Sequence, residues 1–159
     1  MSLRIRDFDA AADREAALAF IMGSQEFEHA FEPDRRLDPA VAREHFAALR
    51  ERVDSHQGRM FVAEADGRVI GWAVFLVERK PVFVTEAERT HGYIAELFVA
   101  AGMRGAGTGR ALIAACEDEA RRLGLRQIMI GLLTENRRAA EIYARAGYRP
   151  YASELRKYL

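Results

Sequence analysis

"MRGAGTGRAL" (Met103–Leu112) places Gly105, Gly107 and Gly109 within five residues, after an apolar strand-like stretch and where a helical pattern begins. Glycine loses the most backbone freedom on folding and weakens regular structure, so its repetition at a strand–helix junction needs a reason. A Gly-rich turn at such a junction is a cradle for phosphate. Missing side chains let a ligand approach the backbone, and the free N–H groups of the first helical turn point at an anion.

Three cradles are distinguishable by spacing. A P-loop requires Gly-x-x-x-x-Gly-Lys-Ser/Thr. Gly102 and Gly107 have that separation, but Thr108 and Gly109 follow, so the lysine and the magnesium-binding hydroxyl are missing. A dinucleotide turn requires Gly-x-Gly-x-x-Gly near a first strand, and here the third glycine is out of register. The third pattern fits: Arg104-Gly105-Ala106-Gly107-Thr108-Gly109 reads as Arg/Gln-x-x-Gly-x-Gly/Ala after a central strand.

Outward from the turn, "GYIAELFVA" (Gly92–Ala100) is apolar on both faces and reads as a central strand. "RALIAACEDEARRLG" reads as a helix with Leu112, Ile113, Cys116, Ala120 and Leu123 inward, "RQIMIGLL" as a buried strand and "ENRRAAEIYARAG" as a helix ending at Gly147. "YRPYASELRKYL" reads as a terminal strand or hairpin arm. Upstream, "LRIRDF" (Leu3–Phe8) alternates like a strand. A helix follows with Ala12, Ala16, Ala19 and Phe20 on one face, ending at Gly23. Asp38 and Pro39 open a second helix carrying Val41, His45, Phe46, Leu49 and Val53. "GRMFVAEADGRVIGWAVFLVER" is two strands joined by Asp66-Gly67, a preferred hairpin dipeptide. This order implies an α/β (α+β) sheet with helices on both sides.

The glycine turn resembles the pyrophosphate loop of the GNAT (Gcn5-related) N-acetyltransferases. "ENRRAAEIYARAGYRPY" resembles that family's second signature through Asn136, Ala140, Tyr143 and Gly147-Tyr148. The two stretches, with the helix and strand between them, cover roughly Tyr93 to Tyr151. The resemblance implies a single GNAT domain over residues 1–159, with a mixed, mostly antiparallel sheet splayed between its fourth and fifth strands. It implies acetyl-CoA as co-substrate, its pantetheine arm lying in the splay against the backbone of Leu97, Phe98 and Val99 like an added strand. The amides from Gly105 through Ala106, Gly107, Thr108 and Gly109 to Arg110 would hold the pyrophosphate, with Arg104 and Arg110 adding positive charge. Asn136 would bond a pantetheine amide, and Tyr143 would protonate the departing thiolate.

An amine acceptor is protonated at neutral pH, a lysine-like amine titrating near ~10.4, and must lose a proton before it attacks. Glu96, at the mouth of the splay, is the candidate base, with His91 a further one. An amide near Phe98 would bond the thioester oxygen. The resemblance implies direct transfer, with no metal and no Cys or Ser nucleophile. Each residue also has a structural reading: a tight turn for the glycines, a core tyrosine for Tyr143, a helix N-cap for Asn136, and a structural hydrogen bond or acceptor recognition for Glu96. His29, His45, His56 and His91 lack metal-ligand spacing and read otherwise as structural or exposed.

The resemblance implies a small-molecule or peptide amine as acceptor. Glu26, Glu28 and Glu32 fall where the family lines its acceptor site, with Arg35 and Arg36 close behind. "YIAELFV" is similar to the polyamine and diamine branch, which carries adjacent acidic residues there; here Ala95 precedes Glu96. The alternative is a non-catalytic acyl-CoA-binding sensor or interaction module.

Composition bounds the rest. The 159 residues carry 24 Lys+Arg against 24 Asp+Glu, and this balance argues against nucleic acid or an anionic membrane as partner. A lone cysteine, Cys116, fits a reducing compartment, and no apolar run has signal-peptide or membrane-span length. The expectation is a cytoplasmic protein, with a homodimer possible through the apolar "YASELRKYL" edge.

Overall fold

The computed structural model describes residues 2–159. Strands β2 (Arg59–Ala65) and β3 (Arg68–Arg79) form a hairpin whose turn, Asp66–Gly67, has positive φ at both positions (49° and 75°). That two-residue geometry matches the right-handed twist of paired strands. β1 (Leu3–Asp7) pairs antiparallel with β2, and β3 pairs antiparallel with β4 (Thr90–Val99). β4 then runs parallel to β5 (Ile128–Ile130), giving the order β1-β2-β3-β4-β5. This is the mixed, mostly antiparallel sheet expected from the sequence.

Successive strand residues point to opposite faces, and helices cover both. Met60, Val62, Trp72, Val74 and Leu76 pack under α1 (Arg14–His29) and α2 (Ala40–Ser55), which contribute Ala17, Phe20, Ile21, Phe46 and Leu49. Phe61, Ala63, Ala73, Phe75 and Ile94 pack under α4 (Thr108–Arg122) through Leu112, Ile113, Cys116 and Ala120. Each large side chain so buried contributes about 1.5–3 kcal/mol. Cys116 is fully buried, and burial pushes its thiol up to about 12, so it is a core residue as read. The single turn α3 (Glu86–Arg89) precedes β4, and α5 (Arg137–Arg145) follows β5.

The sheet opens where the site forms. β5 pairs with β4 only from Gly92↔Ile128 to Ile94↔Ile130. At the next residue β4 bulges: Ile94 faces Phe75 and Glu96 faces Val74, leaving Ala95 without a partner on β3. A bulge bends and twists its strand. Residues 96–99 therefore continue along β3 with no strand paired on their other edge.

The structure corrects four boundaries. α1 begins at Arg14 and runs through Gly23 to His29, burying Ala17, Phe20 and Ile21, while Ala12 and Ala19 are exposed. Asp38 does not cap α2 with its side chain: both carboxylate oxygens are held by Arg36 at 2.9 Å, and Pro39 stands at the cap. The strand read over "RQIMIGLL" shrinks to Ile128–Ile130, because its partner departs at the bulge. Residues 148–159 form no strand. Their side chains are drawn elsewhere: Lys80 Nζ lies 4.5 Å from the Tyr151 ring centroid, and Arg156 reaches Glu32 (2.5 Å) and Asp34 (3.1 Å). Among the described residues no helix is long and apolar enough to cross a membrane.

Candidate active site

The glycine turn leaves β4 through a 3-10 turn at Ala101–Met103. Gly105 (φ 89°) and Gly107 (φ 85°) adopt the left-handed region, which disfavours any side chain, and Gly107 caps α4. A Cβ on either would meet nothing within 4 Å, so no neighbour demands their smallness. The Arg104 amide donates to Ala101 O (3.5 Å) and the Ala111 amide to Gly107 O (3.0 Å). Between them, the amides from Gly105 to Arg110 have no partner among the described residues' bonds. The result is a run of unsatisfied N–H donors over open space at a helix N-terminus, where the macrodipole adds positive potential.

That run opens onto a cleft of about 180 Å³. One wall is the unpaired stretch of β4, with Leu97, Phe98 and Val99; the end is Arg104, Gly105 and Gly109; the opposite wall is Asn136, Ala139 and Tyr143 of the α5 region. The structure thus gathers most of the expected residues around one space. Ala106 and Gly107 belong to the turn without lining the cleft, Arg110 is exposed, and Thr108 is buried beneath the turn with its Oγ1 unpartnered.

Arg104, read from the sequence as positive charge near the phosphates, lines the end of the cleft and is braced there. Its Nε donates to the Val99 carbonyl at 2.9 Å, and its guanidinium lies 5.3 Å from the Phe27 ring centroid and 5.4 Å from that of Phe98. These contacts tie α1 to β4 across the end of the cleft; with Phe27 at the surface, a cation–π contact contributes ~0.5–1 kcal/mol. Arg138 is the other cationic lining residue. Asn136 caps α5, its side chain accepting from the Ala139 amide at 3.1 Å, so its structural reading holds; the carboxamide N–H₂ makes no bond to the described residues. Tyr143 is mostly buried and packs against Tyr148 (centroids 6.2 Å apart), its hydroxyl unbonded among the described residues. Burial, followed by the nearby Glu28 charge, pushes that hydroxyl up to about 12.

A second cavity of about 360 Å³ lies against the same strand, and Ser24 of α1 lines both. It is faced by Glu96, by His45 of α2, and by Glu28, Asp34, Arg35 and Arg36 around the α1–α2 connection. His45 Nε2 and Glu96 Oε1 stand 2.6 Å apart. That hydrogen bond, opposed by burial, raises the imidazole pKa above its ordinary value. Arg35 bonds Glu28 (2.8 Å) and Asp34 (2.7 Å), so much of this wall is neutralised internally. Of the acidic trio read from the sequence, only Glu28 lines the cavity; Glu26 is exposed and Glu32 pairs with Arg156. His91 lines neither space: it is buried, with Nδ1 bonded to Arg89 O at 3.1 Å. Among the described residues no group of His, Cys, Asp and Glu is placed to hold a metal ion.

Sequence reading missed Ser24, Phe27, Arg138, Ile142 and above all His45. A signal for the first two was present: Phe20, Ser24 and Phe27 continue one helical face past Gly23. Nothing local pairs His45 with a residue 51 positions away.

Comparison with known proteins agrees with this geometry. A family model described as acetyltransferase (GNAT) family matches residues 16–148. The Bacillus subtilis (strain 168) protein named uncharacterized N-acetyltransferase YhfO is 28% identical over 102 residues, covering 64% of this chain and 66% of that relative's length. A variant of the BH1408 protein from Bacillus halodurans superposes with TM-score 0.79 at 19% identity, covering 100% of this chain and 99% of that one. An aminoglycoside acetyltransferase from an uncultured soil metagenomic sample superposes with TM-score 0.70 at 21% identity over 100% and 99%. The splayed sheet, the glycine turn at the start of α4 and a family match spanning most of the residues agree: the chain belongs to the GNAT family of acetyltransferases.

Proposed function

We propose that the protein transfers an acetyl group from acetyl-CoA to a primary amine of a small molecule or peptide. The observation that carries this reading is the run of free amides from Gly105 to Arg110, opening onto the unpaired edge of β4. A linear, anionic thioester fits such a site. The amides would take the pyrophosphate, the β4 edge at Leu97, Phe98 and Val99 the pantetheine amides, and the free Asn136 carboxamide N–H₂ a further carbonyl. Arg104 then acts as a brace for the cleft wall, and Arg138 is a further cation lining the cleft.

Bound acetyl-CoA supplies an activated acyl carbon. An amide near Phe98 donates a hydrogen bond to the thioester oxygen as negative charge grows there. The amine enters from the second cavity, meeting the first along Ser24, and gives up its proton on the Glu96 side. Tyr143 keeps its proton through the working range, its hydroxyl pushed to about 12, and offers it to the departing sulfur. The cavity's mixture of carboxylates and guanidinium groups suits a polar, amine-bearing acceptor. The soil metagenomic neighbour, an aminoglycoside acetyltransferase by name, supports testing aminoglycosides early.

Thermal unfolding with acetyl-CoA, CoA, ATP and NAD in parallel tests the cleft. Ligand at 100 times its Kd adds about 2.7 kcal/mol, a rise of roughly 5–10 °C. A rise with acetyl-CoA and CoA alone is expected; none at millimolar concentration overturns the reading. Thiol release with an amine panel then separates an enzyme from a non-catalytic acyl-CoA-binding module.

A further inference from the structure

The His45–Glu96 pair joins residues from two elements at the cavity opposite the glycine turn. With Nε2 only 2.6 Å from Glu96 Oε1, the bond between a neutral ring and an ionised carboxylate requires Nε2 to carry the hydrogen, because a carboxylate only accepts. Nδ1 then bears the lone pair, and no described residue bonds to it. The His45 side chain is 38% exposed while that of Glu96 is 15% exposed, so the ring is the more accessible member of the pair. Both residues line the cavity that the acceptor amine would enter.

Resting on the acetyltransferase reading above, we propose that His45 is a catalytic residue that accepts the proton of the amine at Nδ1, and that Glu96 positions it by fixing the tautomer at Nε2. The step balances. The protonated amine gives one hydrogen to Nδ1, forming imidazolium against the Glu96 carboxylate, and recovers its lone pair. That pair forms the new C–N bond to the acyl carbon as the C–S bond breaks. Tyr143 gives its proton to the sulfur and recovers one from the nitrogen, which otherwise would carry one hydrogen too many. His45 returns its proton to solvent, so the net release is one proton per acetyl group moved.

The charges around the ring are consistent with this role. From β4, Glu96 favours the imidazolium. From α1, Glu28 favours it, and from α2, Arg52 opposes it. Asp34, Arg35 and Arg36 of the α1–α2 connection face the same cavity, Arg35 already bound to Glu28 and Asp34. Burial also opposes the charge, yet the Glu96 bond outweighs it and makes His45 a stronger base than free histidine.

The test compares wild type, His45→Gln, Glu96→Gln and the control His56→Gln, a histidine bonded to Ser55 outside either cavity. Imidazole NMR titration is expected to show His45 titrating above ~6.5 in the wild type and falling in Glu96→Gln. This readout does not depend on turnover. In steady-state assays His45→Gln is expected to lower kcat/KM about 100-fold or more, erase the acid limb of its pH profile and leave acetyl-CoA affinity unchanged. The loss shrinks for acceptors of low pKa that are already neutral. Glu96→Gln is expected to shift that limb to lower pH, and His56→Gln to match wild type. An unchanged His45 titration in Glu96→Gln, or a wild-type pH profile in His45→Gln, overturns the pair. Absence of acetyl transfer by the wild type to every amine, with the titration intact, overturns the acetyltransferase reading and the catalytic role with it, while leaving the pairing itself measured.

Discussion

A Cβ placed on Gly23 of α1 would lie 2.7 Å from Cζ of Phe98 on β4. The helix passes so close to the strand that the Phe98 ring occupies the space a side chain would take. The same ring contacts Phe20 (centroids 5.5 Å apart) and the Arg104 guanidinium, so this approach sets the wall of the cleft.

Gly23→Ala therefore sets helix propensity against packing. Alanine gains ~1 kcal/mol in a helix interior, while displacing a packed ring costs roughly 1–3 kcal/mol. A net loss of stability is expected, together with about tenfold weaker acetyl-CoA binding as Phe98 shifts. Calorimetric titration checks the affinity; an affinity equal to wild type would show that the ring moves without disturbing the cleft.

The glycines of the turn are not equivalent. Gly107→Ala places a side chain at φ 85°, a strain of about 1–2 kcal/mol that disturbs the turn from which the free amides project. Gly109 lacks positive φ, and its Cβ would touch only Val99 Cγ2 at an ordinary 3.8 Å. Melting curves should show a clear loss for Gly107→Ala and almost none for Gly109→Ala. The acetyl-CoA-induced rise should disappear in the first variant.

Tyr143→Phe removes a hydroxyl with no partner among the described residues, so the melting temperature should barely move. If the hydroxyl protonates the leaving sulfur, kcat falls about 100-fold with acetyl-CoA affinity retained. Since the hydroxyl is pushed up to about 12, no basic limb from Tyr143 should appear in the wild-type pH–rate profile below about pH 11. A profile that bends near pH 9 and straightens in the variant would contradict this assignment.

Glu119 of α4 is 4% exposed and bonds Arg122 (2.7 and 2.9 Å) and Arg59 (2.8 Å), tying the helix to β2. The Arg122 bonds, then Arg59, lower its pKa to about 2. A depressed carboxylate pKa stabilises the fold fully above the unfolded value near ~4.3 and loses that contribution as pH falls towards 2. Glu119→Gln is expected to cost about 2 kcal/mol at neutral pH, and the gap to wild type should close in melts between pH 5 and about 2. A gap independent of pH would locate the loss in packing instead.

Much of the architecture was legible because its signals are local. Asp66-Gly67 marked the hairpin, the period of Leu112, Ile113, Cys116 and Ala120 marked the buried face of α4, and the glycine turn marked the cleft end of β4. Boundaries failed where a distant partner overrode local preference. Gly23 reads as a stop until Phe98 fills its missing side chain, and Asp38 reads as a cap until Arg36 claims both its oxygens. The terminal segment reads as a strand or hairpin arm but has no strand beside it, so its side chains settle on Lys80, Glu32 and Asp34.

The sequence by itself determined the family, the order of most elements and the turn whose free amides face the cleft, because spacing along the chain dictates each of these. Tertiary structure alone decided that Ala95 is a bulge that opens the sheet, that Arg104 braces Phe27 and Phe98, and that His45 meets Glu96. Each depends on the approach of segments far apart in the chain, and hydrogen bonds and ring contacts act over a few ångströms whatever the sequence separation.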